Sequence, residues 1–213
     1  MSDGLFITFE GIDGCGKSTQ IAMLSEFIKE NSGDLILVRE PGGTAVGEKI
    51  RGVLLDKKND GMDPVCELLL FEAARAQIVS EVIRPALAEG RIVISDRFFD
   101  STFAYQGYAR KLGEDMVEML NSTATSGLEP DITFLLDIDP KEALVRRGQR
   151  GGETDRMEAL GTSFQAKVRD GYLKLAAKSD RVVRIDASRD RDVIFEEIRE
   201  IVTDELKKRG MQG

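Results

Sequence analysis

The sequence predicts an α/β fold: a mainly parallel sheet of five strands flanked by helices. Three observations lead there. Five short apolar runs alternate with longer amphipathic stretches along the 213 residues, as in strands joined by crossover helices. The first run leads directly into Gly11-Ile12-Asp13-Gly14-Cys15-Gly16-Lys17-Ser18 and then into helical spacing, a strand–turn–helix unit. No internal repeat, low-complexity tract or linker divides the chain, so one domain over residues 1–213 is expected.

The elements follow in order. Leu5 to Phe9 reads as the first strand. Ile21, Leu24, Phe27 and Ile28 recur at helical spacing within 18–31, and Gly33 suits the C-cap. Leu35 to Val38 is a nearly continuous apolar run, expected of a strand buried on both faces. Val46, Ile50 and Leu54 mark a helix over 44–55. Asp63-Pro64 reads as N-cap and first residue of a long helix reaching about Leu87, with a kink or restart at Pro85. Residues 91–96, 131–137 and 181–186 are the remaining strands. Helices are expected near 99–107, 114–126, 140–149, 155–178 and 190–208.

Composition narrows the chemistry. Thirty Lys and Arg stand against 38 Asp and Glu, for a net charge of −8, with no His and two Cys. That excludes His-dependent triads and His-ligated metals, and two cysteines cannot make a four-thiolate site. Sparse Cys fits a reducing compartment. The acidic balance argues against nucleic acid as a partner. No run approaches the ~20 apolar residues of a membrane span, and the N-terminus does not read as a signal segment. A cytoplasmic location without membrane contact is expected.

Gly11 to Ser18 fits G-x-x-x-x-G-K-[ST] at every required position. Such a loop turns backbone N–H groups toward phosphate oxygens, and the following helix adds its dipole. Lys17 would reach the β- and γ-phosphates, and Ser18 would meet Mg2+. The loop alone says only nucleoside triphosphate. No N-K-x-D follows, which speaks against a switch GTPase.

Other residues gain meaning from that loop. Asp96 and Arg97 end the third strand, where ligands of parallel sheets bind, so Asp96 is the first candidate metal carboxylate and Asp137 the second. Phe71 and Arg75 share a helix face. Taken alone they read as a core aromatic and a solvated charge; together they suit stacking and edge recognition of a base. Ser101, Thr102, Tyr105 and Gln106 place polar groups close by. Arg39 and Arg51 flank Glu40-Pro41-Gly42-Gly43, and the Glu40-Pro41 bond is a candidate cis peptide. Arg146, Arg147, Arg150 and Arg156 concentrate around glycines in 146–156, which reads as a solvated loop or as a closing lid.

Taken together, FEGIDGCGKST, REPGGT, LLLFEAARAQIV, SDRFFDSTFAYQG, PDITFLLDIDP and DRMEALG resemble the thymidylate kinase family of bacterial type over almost the whole chain. The resemblance implies a P-loop fold with a short arginine-rich lid, a homodimer, and ATP-dependent phosphorylation of dTMP with Mg2+. ATP would lie on Gly11, Ile12, Asp13, Gly14, Cys15, Gly16, Lys17, Ser18 and Thr19. The acceptor would meet Glu40, Arg51, Phe71, Arg75, Arg97, Ser101, Thr102, Tyr105 and Gln106. Within that set Phe71 would stack on thymine, Arg75, Thr102 and Gln106 would bond its edge, and Tyr105 would crowd the sugar 2′ position. Arg51 and Arg97 would hold the acceptor phosphate. Lys17, Arg97, Asp13 and one lid arginine, Arg150 before Arg147, would act in catalysis; Ser18 and Asp96 would hold the metal. The usual Asp-Arg-Tyr/His reads Asp96-Arg97-Phe98 here. A kinase for another nucleotide or deoxynucleoside, and a non-catalytic nucleotide-binding module, are the competing readings.

Overall fold

Strands β1 (Leu5–Glu10), β2 (Leu35–Arg39), β3 (Ile92–Asp96), β4 (Ile132–Asp137) and β5 (Val182–Asp186) form one parallel sheet in the order β2-β3-β1-β4-β5. The computed structural model describes residues 4–31, 34–150 and 155–211, without the side chains of Arg150 and Glu158. The register sets Phe9 and Arg39 both beside Asp96, so β1, β2 and β3 end at one rim.

The helices are α1 (Lys17–Asn31), α2 (Ala45–Leu55), α3 (Pro64–Ile78), α4 (Arg84–Ala88), α5 (Phe99–Thr102), α6 (Glu114–Thr125), α7 (Pro140–Arg150), α8 (Gly161–Ala176) and α9 (Arg191–Arg209). The two-residue alternation of β1 divides the core. Leu5, Ile7 and Phe9 pack with Leu24 and Ile28 of α1 and Ile198 and Val202 of α9. Phe6 turns the other way, toward Val93, Ile78 and Phe98. Its ring meets that of Phe98 edge-on at 5.0 Å, so an aromatic at 98 serves packing without a polar tip.

Three expectations change. β2 is an edge strand with Leu37 half exposed; an apolar run reveals strand character but not the number of neighbours. The long helix breaks earlier than expected, into α3, a π-helical turn over Val79–Ile83, and α4. In that turn the Arg84 N–H bonds the Val79 carbonyl, and the next residue, Pro85, has no N–H with which to continue an α-helical ladder. The helix expected over 155–178 is a short 3-10 turn, Glu158–Leu160, followed by α8, which opens at Gly161 with φ +79°. Asp63 caps α3 by accepting from the N–H groups of Val65 and Cys66, as expected. The proposed cap at Gly33 lies outside the described residues.

Below the rim, Asp100 is fully buried and takes both arms of Arg181 at 2.7 Å. Breaking a buried pair from one side leaves an uncompensated charge. Arg181→Ala is expected to cost about 3–5 kcal/mol, read as a lower urea midpoint; an unchanged midpoint would exclude this pair as a structural tie.

Candidate functional site

The rim opens into a cleft of about 520 Å³. Its first wall is the turn between β1 and α1. Gly14 has φ +91°, and a Cβ there would lie 2.3 Å from the Ala143 carbonyl oxygen, so only glycine lets the loop close against α7. Lys17 is buried, its Nζ donating to the carbonyl oxygens of Gly11 (3.1 Å) and Ile12 (3.5 Å). Gly14, Gly16, Lys17, Ser18 and Asp13 line the cleft, whereas Ile12 and Cys15 are buried in the core and Gly11 and Thr19 are not among its walls.

The second wall comes from α3 and from residues after β3. The helix expected over 99–107 is α5 followed by a π-helical turn over Phe103–Ala109, with the Arg110 N–H on the Tyr105 carbonyl. This wider turn keeps Ser101, Thr102, Tyr105 and Gln106 on one face, and all four line the cleft with Phe71. Arg97 links the walls. Its backbone has φ +72°, strained for a side chain of this size. Its guanidinium donates to Asp13 Oδ1 at 2.5 Å, and at 3.1–3.2 Å to the Gly11 carbonyl, Ser101 Oγ and the Tyr172 hydroxyl. Burial pushes the Asp13 carboxyl up, but Arg97, Lys17 and Arg147 outweigh it and hold it below the usual aspartate range.

The third wall carries the peptide Glu40-Pro41, which is cis. Arg51 Nη1 donates to the Pro41 carbonyl at 2.9 Å, and Arg39 pairs with both oxygens of Glu48; both arginines line the cleft. Burial and neighbouring Arg39 lower the Arg51 pKa. Arg75 departs from the expected edge contact. It is 1% exposed, is not a cleft wall, and engages Glu40 at 2.8–2.9 Å, Glu72 at 2.7 Å and Asn121 at 3.2 Å. One guanidinium between two buried carboxylates cannot balance both. Burial accordingly pushes Glu40 up to about 7, while Glu40 and Glu72 keep Arg75 charged against its own burial cost.

The arginines of the expected lid separate. Arg147 lines the cleft. Arg146 instead ties α7 to the Ala187 carbonyl and pairs with Glu142 one turn back on the same helix. Arg156 is buried on the Leu54 carbonyl (2.7 Å) and Glu67 (2.6 Å). The Arg150 side chain, first choice for the catalytic arginine, lies outside the described residues. Asp137, the second candidate metal carboxylate, faces away: it is paired with Arg169 and Arg184 at a separate depression.

Several buried acids escaped sequence reasoning, Glu10 and Glu67 with Asp100 and Glu72. Glu10 accepts from the Phe98 and Ser101 N–H groups and the Ser101 and Tyr172 hydroxyls; burial, then nearby Asp100, raises its pKa. Glu67 joins Gln106, Arg110 and Arg156. A carboxylate ending an otherwise apolar strand was the available signal for Glu10; Glu67 in a helix gave none.

The cleft suits a hard divalent cation. Oδ1 of Asp96 is buried without a hydrogen-bond partner, and Ser18 stands in the same cleft. Among the described residues no cluster of three or more Asp, Glu, Cys or His makes an all-protein metal cage. Mg2+ takes only one or two protein ligands and fills its octahedron with phosphate oxygens and water, so this donor pair fits it.

A phosphate loop and an aromatic-and-arginine pocket facing one another at the carboxyl rim of a parallel sheet define a P-loop nucleotide kinase. A family model described as Thymidylate kinase matches residues 9–198. A thymidylate kinase from Thermoanaerobacter sp. (strain X514) is 49% identical over 200 residues, covering 93% of this chain and 97% of its own. One from Chlorobium luteolum is 54% identical over 179 residues, covering 80% and 83%. The crystal structure of thymidylate kinase from Ehrlichia chaffeensis superposes with a TM-score of 0.77 at 36% identity, covering 94% of this chain and 99% of that one. The chain belongs to the thymidylate kinase family.

The Glu40 carboxyl generates a pH test. Its folded pKa of about 7 lies above the ordinary 4.5. Its contribution to stability is therefore full below about 4.5 and lost as pH rises through about 7. Glu40→Gln, neutral throughout, is expected to gain stability relative to wild type across that window. Urea unfolding at a series of pH values measures the difference, and a relative loss on raising pH would contradict the assignment.

Proposed function

We propose that this chain transfers the γ-phosphoryl group of ATP to dTMP, giving ADP and dTDP for dTTP synthesis. The observation that carries the reading is the facing of two walls across one cleft: Lys17 and Ser18 on one side, Phe71, Arg97, Thr102, Tyr105 and Gln106 on the other. Membership of the thymidylate kinase family supports it.

The triphosphate lies on the loop 11–19, with Lys17 leaving its carbonyl partners for phosphate oxygens. Ser18 and Asp96 would hold Mg2+, which neutralises charge on the β- and γ-phosphates when bound. Phe71 stacks on the base, and Thr102 and Gln106 read its edge. Arg75 acts from behind, fixing Glu40 at the cleft wall. Arg51 and Arg97 hold the acceptor phosphate, and Asp13 orients Arg97 through their ion pair. Tyr105, with its hydroxyl 3.5 Å from Asp13 Oδ2, closes the space beside the sugar. The acceptor is already an ionised phosphate oxygen, so in-line transfer needs no strong base. Positioning and electrostatics do the chemistry, and a protein without histidine suffers no handicap. Residues 146–156 act as the lid, bringing Arg147 or Arg150 to the transferring phosphate.

Further parts of the reading have separate support. Exposed Val46 and Val53 on α2, Val65 and Leu69 on α3, and Met119 on α6 offer apolar surface on neighbouring helices for a homodimer. Among the described residues no helix is long and apolar enough to cross a membrane, and the −8 charge speaks against nucleic acid; a cytoplasmic place is proposed on the sparse cysteines, which suit a reducing compartment.

ADP release with ATP and Mg2+ over a panel of nucleoside monophosphates and nucleosides tests the substrate. Turnover confined to dTMP is expected; preference for another nucleotide or a nucleoside would replace the acceptor, and ATP binding without any turnover would favour a non-catalytic module. Arg147→Ala and Arg150→Ala separate the lid candidates. The arginine that reaches the transferring phosphate should cost roughly 10³-fold or more in kcat, and two small effects would exclude a lid arginine from the transition state.

A further inference from the structure

Glu67 is fully buried at the back of the base pocket, and both its oxygens are engaged. Oε1 accepts from Gln106 Nε2 at 2.8 Å and Arg110 Nε at 2.7 Å; Oε2 accepts from Arg110 Nη2 at 2.8 Å and Arg156 Nη1 at 2.6 Å. Burial raises a carboxyl's pKa, but Arg110, Gln106 and Arg156 together hold this one below the usual glutamate range. An ionised carboxylate only accepts hydrogen bonds. The amide of Gln106 must therefore turn its NH2 end to Glu67; flipped, it would set one oxygen against another in a dry site. Gln106 is 1% exposed and lines the cleft. With one amide hydrogen committed to Glu67, what the side chain has left for a base in the cleft is its carbonyl oxygen and its second amide hydrogen: an acceptor and a donor in a fixed order.

We propose that Glu67 is a positioning residue that fixes the polarity of this base-reading edge. It selects a pyrimidine with N3–H beside a ring carbonyl, and it rejects one with a bare N3 beside an amino group. Thymine has the first pattern and cytosine the second. The inference rests on the placement of the acceptor base against Gln106 given above. With the carboxylate replaced by an amide the lock disappears, because a glutamine at 67 can accept or donate and lets Gln106 turn to suit either base.

The test compares kcat/KM for dTMP and dCMP. Glu67→Gln is expected to lower the dTMP-to-dCMP ratio roughly ten- to a hundredfold, since an unmatched buried polar group costs about that much. The change should appear in KM for dTMP, with KM for ATP held. Arg110→Lys, which keeps the charge beside Glu67, should leave the ratio within about twofold while lowering stability. Gln106→Met should lower the ratio, and adding Glu67→Gln to it should lower it no further. Proportionate loss on both substrates in Glu67→Gln, or a further fall in the double variant, overturns the role of Glu67. A wild-type enzyme without preference for dTMP over dCMP overturns the base assignment and Glu67 together; a wild-type preference that Glu67→Gln leaves intact overturns Glu67 alone. If Glu67→Gln does not fold, ¹⁵N NMR of the wild type carries the question, with Gln106→Met assigning the side-chain NH2 signal. That signal should stay hydrogen-bonded and slow to exchange as dTMP is added; its release on binding overturns the proposal.

Discussion

A carboxylate at the end of the first strand has no water to face, so the chain must supply its partners, and supplying them fixes the site. Glu10 draws in the N–H groups of Phe98 and Ser101 and the hydroxyls of Ser101 and Tyr172. Those contacts bring the segment after β3 onto the strand that carries the phosphate loop. They also set the entry to α5, because the N–H of Phe98 at its N-cap position and that of Ser101 in its first turn both find their acceptor in the Glu10 carboxyl. With that entry fixed, the strained backbone of Arg97 is over-determined: its N–H is held by the Phe9 carbonyl, and its side chain is held across the cleft by Asp13. Ser101 and Tyr172 answer both Glu10 and Arg97, so the strand end and the arginine are braced by the same hydroxyls.

The same constraint recurs wherever the fold buries an acid around the site. Arg181 answers Asp100, Arg75 answers Glu40 and Glu72, and Arg110 with Arg156 answers Glu67. Arginine suits this work because its planar fork bonds two acceptors at once and its charge persists in a dry site. Each such pair contributes little to stability against an apolar replacement, but losing one partner is costly. The arrangement therefore reads as specification of geometry: each pair fixes a named side chain beside the cleft.

How much of this was legible in the sequence depended on distance along the chain. The phosphate loop was legible because its chemistry lies in eight consecutive residues whose flanking strand and helix also show in the pattern. Phe71 and Arg75 were legible as one helix face. That Arg75 would turn inward was not, because its partners Glu40 and Asn121 are 35 and 46 residues away. Arg156 sat inside an arginine-rich loop and read as one more lid charge, until the fold brought Leu54 and Glu67 beneath it. The edge position of β2 and the π-helical turns were hidden for a related reason: both are settled by neighbours, and local propensity is nearly blind to them.

The acidic whole and the anion-binding cleft are reconciled by arrangement more than by surplus. Lys17, Arg39, Arg51, Arg97 and Arg147 share the cleft with Asp13, Glu40, Asp96 and Asp155, so the lining is close to neutral by formal count. What differs is how each charge is held. Asp13 is spent on Arg97, Glu40 is only partly ionised near neutral pH and faces Arg75, and Asp96 offers an oxygen suited to a cation. Lys17 and Arg51, by contrast, rest on backbone carbonyls. A phosphate oxygen bonds a cation more strongly than a neutral carbonyl does, so these two can pass to an arriving phosphate without breaking those ion pairs. Two cations on exchangeable neutral partners, at either side of one cleft, is the arrangement a reaction between two phosphates requires.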